Sequence, residues 1–332
     1  MSSSSRDPLN YPLRCRPLLK PKIWGGRGLE AVLGKQLPPG EPVGESWEVA
    51  DVPQGTSAIA GGPLADMTLR AVMERFGERL FPGWGAAQFP LLVKFLDAQD
   101  DISIQVHPNA RACAERFPDQ RSKNETWLIV HVDPGGAVLH GVHHGVALEQ
   151  IRAHLTDGRI TEVMRRIEVQ PGDVLHLPAG TLHALLRGVM LLEVQEPSDS
   201  TFRVYDHDRL GLNGHPRELH VEQALASLRL NGDAPAVLSP TIRRYPWGER
   251  ELLIDIAPYR VERLTLRDEL SWRAEDGADV LVVITGAVEL DLAEGRTRLG
   301  AGETVIVPPD LDVRLTPIGV AQVVIASPHR PA

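Results

Sequence analysis

The stretch GDVLHLPAGTLHA, residues 172–184, has the pattern that decides the predicted fold. A strand-like run lies between its first glycine and Pro178, and an apolar strand follows the loop after that proline. The same pattern returns in GETVIVPPDLDVR, residues 302–314, where Pro308 again stands six residues after the first glycine. We therefore interpret the two stretches as one β building block that the chain uses twice.

Short runs of Val, Ile and Leu, separated by glycine and proline, occur along the whole chain of 332 residues. Examples are TWLIVHV, GVMLLEVQE, ETVIVPP and AQVVIAS. Many short strands between turn residues favour antiparallel β-sandwiches or barrels. The length exceeds that of one typical domain, so we predict a mainly β chain with two packed modules.

Two segments have helical patterns instead. In MTLRAVMERFGERL, residues 67–80, apolar residues recur near helical spacing, which predicts an amphipathic helix. Residues 148–167 form the second segment, which we interpret as a small helical insertion broken at the Asp-Gly pair 157–158.

A polar, turn-rich segment, LNGDAPAVLSP, is the candidate linker between the two modules. The predicted organisation is a metal-binding module at 1–229, a linker at 230–240 and a second module at 241–332. Val313 stands in the second module where the first has His183, five residues after the proline. Because no histidine occurs between Val221 and Pro328, we expect no imidazole-based metal site in the second module.

Composition limits the classes of function. The apolar share of 42% and the charged share of 24% are typical of a soluble globular protein. No apolar run approaches 18 residues and no secretory signal is evident, so we expect no membrane span and a cytoplasmic location. Only Cys15 and Cys113 are present, too few for a disulfide framework or a cysteine zinc site.

The net charge of −9 argues against broad nucleic-acid binding, which needs clustered Lys and Arg. A small anionic substrate is still possible, but it would need a local cationic pocket.

Chemistry-bearing residues first occur in ISIQVHPN, residues 102–109, where Gln105 and His107 point to one face of a strand. Glu125 opens the apolar strand of KNETWLIV, and His183 lies in the loop of the repeated block. Two imidazoles, one carboxylate and one amide oxygen suit Zn²⁺, which accepts mixed nitrogen and oxygen ligands. Each residue alone is more often structural, and the agreement of the four residue types favours the metal site.

Two further groups of polar residues need an interpretation. LHGVHHG contains His140, His143 and His144 between glycines, without a nearby carboxylate, so we interpret it as a loop with incidental imidazoles. In EPSDSTFRVYDHDR, Asp199 and Arg203 follow the strand that starts near His183. That strand could bring both side chains to the same cavity.

Five motifs in order resemble the type I mannose-6-phosphate isomerases: GESWEVAD, FPLLVKFLDAQDDISIQVHPN, KNETW, GDVLHLPAGTLHAL and SDSTFRVYDHDR. The match covers about Lys22 to Arg209, and the remainder is similar to the family's degenerate second cupin. The resemblance implies two cupin-type (jelly-roll) β-barrels with a shortened helical insertion. It also implies one zinc ion per chain and the reversible isomerisation of mannose 6-phosphate to fructose 6-phosphate. The family's site residues fall on metal ligands Gln105, His107, Glu125 and His183 and on active-site residues Lys123, Asp199 and Arg203.

An aldose–ketose isomerase moves a proton between C1 and C2 through an enediol, and negative charge develops on oxygen. We therefore expect zinc to polarise the sugar oxygens and Arg203 to stabilise the enediolate. Lys123 would help with anionic groups or oxygen-bound protons, and Asp199 would orient Arg203 or act as acid or base. The alternatives are an isomerase of another or an unphosphorylated sugar, a cupin Fe(II) dioxygenase, and a non-catalytic sugar-binding cupin.

Overall fold

The computed structural model describes residues 7–230, 236–292 and 295–330. In these residues the chain is mainly β, as the sequence predicts. The helices within them are α1 (Gly28–Leu33), α2 (Leu69–Leu80), α3 (Ala110–Arg116), α4 (Leu148–Thr156) and α5 (Val221–Ser227), with 3₁₀ turns at Gly62–Leu64 and Ile160–Val163.

The strands are short in the first two thirds of the chain and longer near its end. In chain order they are β1 (Leu13–Arg16), β2 (Leu18–Gly26), β3 (Val43–Val49), β4 (Asp51–Val52), β5 (Gly55–Thr56), β6 (Ala58–Ile59), β7 (Leu92–Ala98), β8 (Ile104–Val106), β9 (Glu125–Val132), β10 (Ala137–Val142), β11 (Met164–Glu168), β12 (Val174–Leu177), β13 (His183–Leu185), β14 (Val189–Gln195), β15 (Phe202–Tyr205), β16 (Thr241–Tyr245), β17 (Gly248–Ile256), β18 (Tyr259–Leu266), β19 (Leu270–Trp272), β20 (Asp279–Leu292), β21 (Gly295–Gly300), β22 (Thr304–Val307) and β23 (Val313–Pro328).

These strands form four sheets. A six-stranded sheet has the order β12-β9-β14-β7-β3-β2, a five-stranded sheet has the order β11-β10-β13-β8-β15, and β4 pairs with β5. The ten-stranded sheet has the order β16-β17-β18-β23-β20-β22-β1-β6, with β19 on β23 and β21 on β20. Within the described ranges no sheet closes into a barrel, so the predicted pair of jelly-roll barrels is not confirmed.

The chain divides into two compact units. The central unit comprises Leu19–Ser46 and Val93–Leu238, and the terminal unit comprises the segment up to Leu18, Trp47–Leu92 and the residues from Ser239. The terminal unit includes N-terminal strands because β1 pairs with β22 and β6 pairs with β1. The sequence did not indicate these pairings.

The predicted boundaries at 229 and 241 stay predictions. Residues 231–235 of the predicted linker 230–240 lie outside the described part of the chain.

Helix α2 lies inside the predicted segment 67–80. The Thr68 hydroxyl caps it by accepting a hydrogen bond from the Ala71 N–H, and its buried face includes Val72 and Leu80. None of the described helices is long and apolar enough to span a membrane.

The predicted helical segment 148–167 is helical only in part. Helix α4 ends at Thr156, and Gly158 has a φ of 69°, a left-handed conformation that stops the helix. The backbone resumes as a 3₁₀ turn and then becomes β11, where Met164 pairs with Val142. The expectation of helix up to residue 167 was therefore wrong, because strand pairing takes the last four residues.

The core of the central unit contains residues from both of its large sheets. Trp127, Leu175 and Leu191 come from the six-stranded sheet, while Val138 and Leu185 come from the five-stranded sheet. Sheets that share such a cluster pack face to face. Strands from both sheets therefore direct side chains into the space between the sheets. The candidate site lies in this space.

Candidate metal centre

Strand β8 supplies the middle of a row of polar residues across the five-stranded sheet. Gln105 pairs directly with His183 on β13 and with Arg203 on β15. Directly opposed residues in antiparallel strands point to the same face of a sheet. Three residues that are spread over almost a hundred positions of the sequence therefore lie side by side, as the prediction for Arg203 required.

Glu125, at the start of β9, faces this row from the other sheet. Its carboxylate oxygens lie 3.0 Å from His107 Nε2 and 3.6 Å from His183 Nε2. One ligand atom from each of the three residues lies within 4.8 Å of the others, and all three are buried. The amide nitrogen of Gln105 is 3.4 Å from His183 Nε2, so rotation of the amide would present its oxygen there.

The second nitrogen of each imidazole fixes the tautomer. His107 Nδ1 lies 2.7 Å from the Ser200 carbonyl oxygen, and His183 Nδ1 lies 2.9 Å from that of Thr181. Because a carbonyl only accepts, each Nδ1 carries the proton and donates it, and each Nε2 presents a lone pair toward Glu125. Metal-binding histidines are usually held in this way.

Electrostatics favour a cation between these three side chains, in addition to the Lys123 ammonium that forms an ion pair with Glu125 from one side. Both Glu125 carboxylate oxygens are buried and have no well-aligned hydrogen-bond donor in the described chain. Two nitrogen lone pairs and a carboxylate repel one another unless a positive charge lies between them. The donor set therefore fits a divalent metal ion.

The protonation states of the two histidines and of Glu125 at neutral pH are also those that metal binding requires. Burial lowers the pKa of His183 to about 3 and also lowers the pKa of His107, which Lys123 lowers further. Burial would raise the pKa of Glu125, but Lys123 and His107 hold it well below its usual range. Neutral imidazoles and an ionised carboxylate are the forms that bind a metal.

The three predicted active-site residues line the same cavity of about 280 Å³. The buried Lys123 ammonium forms an ion pair with Glu125 and lies 3.3 Å from His107 Nε2. Asp199 comes from the loop before β15, and Arg203 is half-buried on that strand.

Arg203 is held by neutral acceptors. Its Nε donates to the Ser103 hydroxyl at 3.1 Å and its Nη1 to the Glu218 carbonyl at 3.2 Å. Among the described residues it has no carboxylate ion pair, so its charge is available to a ligand.

Four charged residues of the six-stranded sheet also line the cavity and were not predicted. They form a row of alternating charge, with Lys22 Nζ 2.9 Å from Glu45, Lys94 Nζ 2.8 Å from Glu193, and 4.0 Å between Lys94 and Glu45. The signal was a single charge inside an apolar strand, as with Glu193 in VMLLEVQ, because a buried charge needs a partner.

Glu193 also accepts a hydrogen bond from the Trp127 indole at 3.0 Å. Burial, with Glu125 as a nearby like charge, raises the pKa of Glu193 to about 7.

The LHGVHHG histidines separate in the structure. His143 and His144 are exposed in a turn, but His140 lies on strand β10, so our interpretation of all three as loop residues was wrong for His140. His140 pairs with His183 across the sheet, and its Nε2 lies 2.9 Å from the His176 carbonyl. In the described ranges these histidines form no metal cluster with an acidic residue.

Comparison with known proteins agrees with this geometry. Residues 12–126 match the family model described as phosphomannose isomerase type I, catalytic domain. The chain is similar to the mannose-6-phosphate isomerase ManA of Bacillus subtilis, with 31% identity over 94% of both proteins. It is also similar to the mannose-6-phosphate isomerase of Streptococcus mutans serotype c, with 30% identity over 90% of this chain and 92% of that protein.

A solved structure resembles the whole fold. The crystal structure of the mannose 6-phosphate isomerase from Bacillus subtilis superposes with a TM-score of 0.88 and 29% identity, covering 95% of this chain and 99% of that one. The two relatives named above, at 30% and 31% identity, align over more than 90% of their own length. This chain therefore belongs to the type I phosphomannose isomerase family.

Proposed function

We propose that this chain interconverts mannose 6-phosphate and fructose 6-phosphate and that it uses one zinc ion. The observation that carries the proposal is the convergence of two imidazole lone pairs on a buried carboxylate in the same cavity as Arg203, which has no ion pair among the described residues. The family to which the chain belongs supports the substrate. The proposed ligands are Gln105, His107, Glu125 and His183.

The donor set favours a transition metal over Mg²⁺ and Ca²⁺, which prefer sites made of oxygen alone. Two imidazole nitrogens with one carboxylate and one amide oxygen suit Zn²⁺, which accepts mixed nitrogen and oxygen ligands. A single carboxylate leaves the centre with a net positive charge. When bound, zinc would supply Lewis acidity toward the sugar oxygens O1 and O2.

The charge of the cavity supports an anionic substrate. Five cationic side chains and three acidic ones line it, although the whole chain carries a net charge of −9. Four of the cations form ion pairs, with Glu45, Glu193, Glu125 and Asp206, so Arg203 and a bound metal ion would supply the net positive charge. The cationic residues are Lys22, Lys94, Lys123, Arg203 and Arg217. A locally positive cavity concentrates and holds a phosphosugar.

Arg203 would stabilise the charge that develops on the substrate. Isomerisation removes a proton from one of two adjacent carbons, and the resulting enediolate carries negative charge on oxygen. Ser103 and Glu218 fix the guanidinium in place before the reaction. A preorganised donor of this kind lowers the barrier because no rearrangement is needed when the charge appears.

Two side chains of the cavity can take part in proton transfer. The Lys123 ammonium, held by Glu125, can donate to a sugar oxygen, and Asp199 can accept a proton from carbon or oxygen. Neither role requires a change in the fold, because both residues already line the cavity.

The test is a coupled assay for fructose 6-phosphate formed from mannose 6-phosphate, before and after removal of metal with a chelator. We expect chelation to lower turnover by at least about 100-fold and one equivalent of zinc to restore it. Mannose without phosphate should react far more slowly. Full activity of the metal-free chain, or equal turnover of mannose, would contradict the proposal.

A further inference from the structure

The terminal unit contains a second cavity, of about 350 Å³. Each cavity is lined by the tryptophan of a Trp-Gly pair, Trp24-Gly25 in the central unit and Trp247-Gly248 in the terminal unit. The Trp24 carbonyl accepts two consecutive backbone N–H groups at 2.9 and 3.2 Å, and the Trp247 carbonyl does the same at 2.8 and 3.2 Å. Each following glycine lies against a neighbouring strand, and an added Cβ would be 2.3 Å from backbone at Gly25 and 1.9 Å at Gly248.

Strand register identifies the counterparts of the metal ligands. Gln105 pairs with His183, and in the terminal unit Trp272 pairs with Val313, which is five residues past its proline as His183 is. Glu125 pairs with Leu177, and Asp279 pairs with Val307, the residue before Pro308. Trp272, Val313 and Asp279 therefore take the places of Gln105, His183 and Glu125.

With these residues the described part of the terminal unit has no cluster of metal ligands like that of the central unit, but it retains a cavity. The indole of Trp272 donates a hydrogen bond of 2.9 Å to Asp279, so this carboxylate has a partner inside the protein. The cavity is also lined by Tyr245 and Trp247, whose rings stack at 4.9 Å with 6° between their planes. Three aromatic side chains thus line one pocket.

The charges of this cavity favour a neutral ligand. Three arginines and three acidic residues line it, in contrast to the cationic excess of the first cavity. Arg250 is already held by both oxygens of Glu262, at 2.8 and 2.7 Å, and Arg273 donates to Asp310 at 2.6 Å. Little positive charge is left for a phosphate group.

Polar groups remain that can bind hydroxyls. Arg260 Nε is buried without a hydrogen-bond partner in the described chain, although Glu262 lies 3.4 Å away. The Glu275 and Asp276 side chains are exposed at the cavity wall. Aromatic faces next to scattered donors and acceptors match a pyranose, which presents C–H groups on its faces and hydroxyls around its edge.

We propose that the cavity of the terminal unit binds a neutral pyranose sugar. The ring packs on the Tyr245–Trp247 stack, and its hydroxyls bind Arg260, Glu275 and Asp276. The site does not depend on isomerase activity in the central unit, so the two proposals can fail separately.

The test is calorimetric titration of the full chain with methyl α-D-mannopyranoside and methyl β-D-glucopyranoside. Neither compound can open to an aldehyde, so neither can be isomerised. We expect saturable binding of at least one of them, with a Kd on the order of 1 mM. The variant Tyr245→Ala should weaken that binding at least about tenfold, because a stacking face is lost. Tyr245 is 38% exposed, so the change should leave the fold intact.

Two controls locate the ligand. Ile242→Ala changes another exposed side chain of β16 outside the cavity and should bind like the parent chain. His183→Ala alters the central cavity and should also bind normally. No saturation at about 100 mM, unchanged binding by Tyr245→Ala, or loss of binding by His183→Ala would overturn the proposal.

Discussion

The two cavities have equivalent strand pairings around a central carboxylate, but Glu125 and Asp279 differ in their hydrogen-bond partners. Glu125 forms an ion pair with Lys123 but has no well-aligned hydrogen-bond donor among the described residues, whereas Asp279 accepts a hydrogen bond from Trp272. Native proteins satisfy nearly all buried polar groups, so an unsatisfied cluster marks a place where a ligand completes the structure. The central unit retains such a cluster, and the terminal unit satisfies its own carboxylate with an indole.

The largest expected effect is a difference between variants of His183 and variants of Val313, its counterpart in the terminal unit. His183→Ala removes a metal ligand and should lower both zinc content and turnover by orders of magnitude. Val313→Ala should leave both unchanged and should only reduce the free energy of unfolding, by about 1–3 kcal/mol for the lost packing. Metal analysis and the coupled assay check both variants. Equal loss of activity in the two variants would contradict the assignment of metal binding to His183 and of packing alone to Val313.

Arg203 tests whether charge stabilisation can be separated from metal binding. Arg203→Ala should lower kcat by about 10²–10³-fold, because a preorganised donor to the enediolate is lost. Zinc content should stay at the level of the parent chain. Near-normal turnover would show that Arg203 does not have this role, and Arg203→Lys shows how much of the effect is charge alone.

Asp279 should give the terminal unit a pH dependence. Burial raises the pKa of Asp279 from 3.8 to about 6. A raised pKa means that the folded state binds the proton more tightly, so this contribution to stability is present below pH 3.8 and is lost as the pH rises through 6. The loss corresponds to about 3 kcal/mol in total.

Asp279→Asn should therefore unfold at a higher temperature than the parent chain at pH 7.5, with the advantage shrinking toward pH 4. Thermal unfolding at several pH values measures this difference. A constant difference across the range would contradict the assigned cause.

The smallest expected effect concerns the indole that stands in the place of Gln105. Trp272→Phe removes the hydrogen bond to Asp279 and should reduce the free energy of unfolding by about 1–3 kcal/mol. Zinc content should not change, whereas the matched Gln105→Leu should lower it. Denaturant unfolding and metal analysis measure the two properties, and a loss of zinc in Trp272→Phe would be inconsistent with a metal-free terminal unit.

The sequence predicted the metal centre better than the architecture. The cluster of His107, Glu125 and His183 could be predicted because few residue types bind metals, and because Val313 replaces His183 in the repeated block. The pairing of β1 with β22 was not predictable, because short strands carry no signal for a distant partner.

The row of alternating charges in the six-stranded sheet could not be predicted for the same reason. Lys22, Glu45, Lys94 and Glu193 lie on four different strands, and only the sheet order shows that they are neighbours. The end of the helical segment at 148–167 also depended on pairing, since Met164 joins β10 through Val142. Local patterns indicate the elements, and non-local pairing decides which side chains meet.

The most direct test of the central claim is anomalous diffraction at the zinc edge from crystals of the full chain grown with zinc. We predict one peak in the central unit, with His107 Nε2, His183 Nε2 and a Glu125 oxygen at about 2.0–2.2 Å, and none beside Asp279. A peak elsewhere, or no peak between those three side chains, would contradict the account.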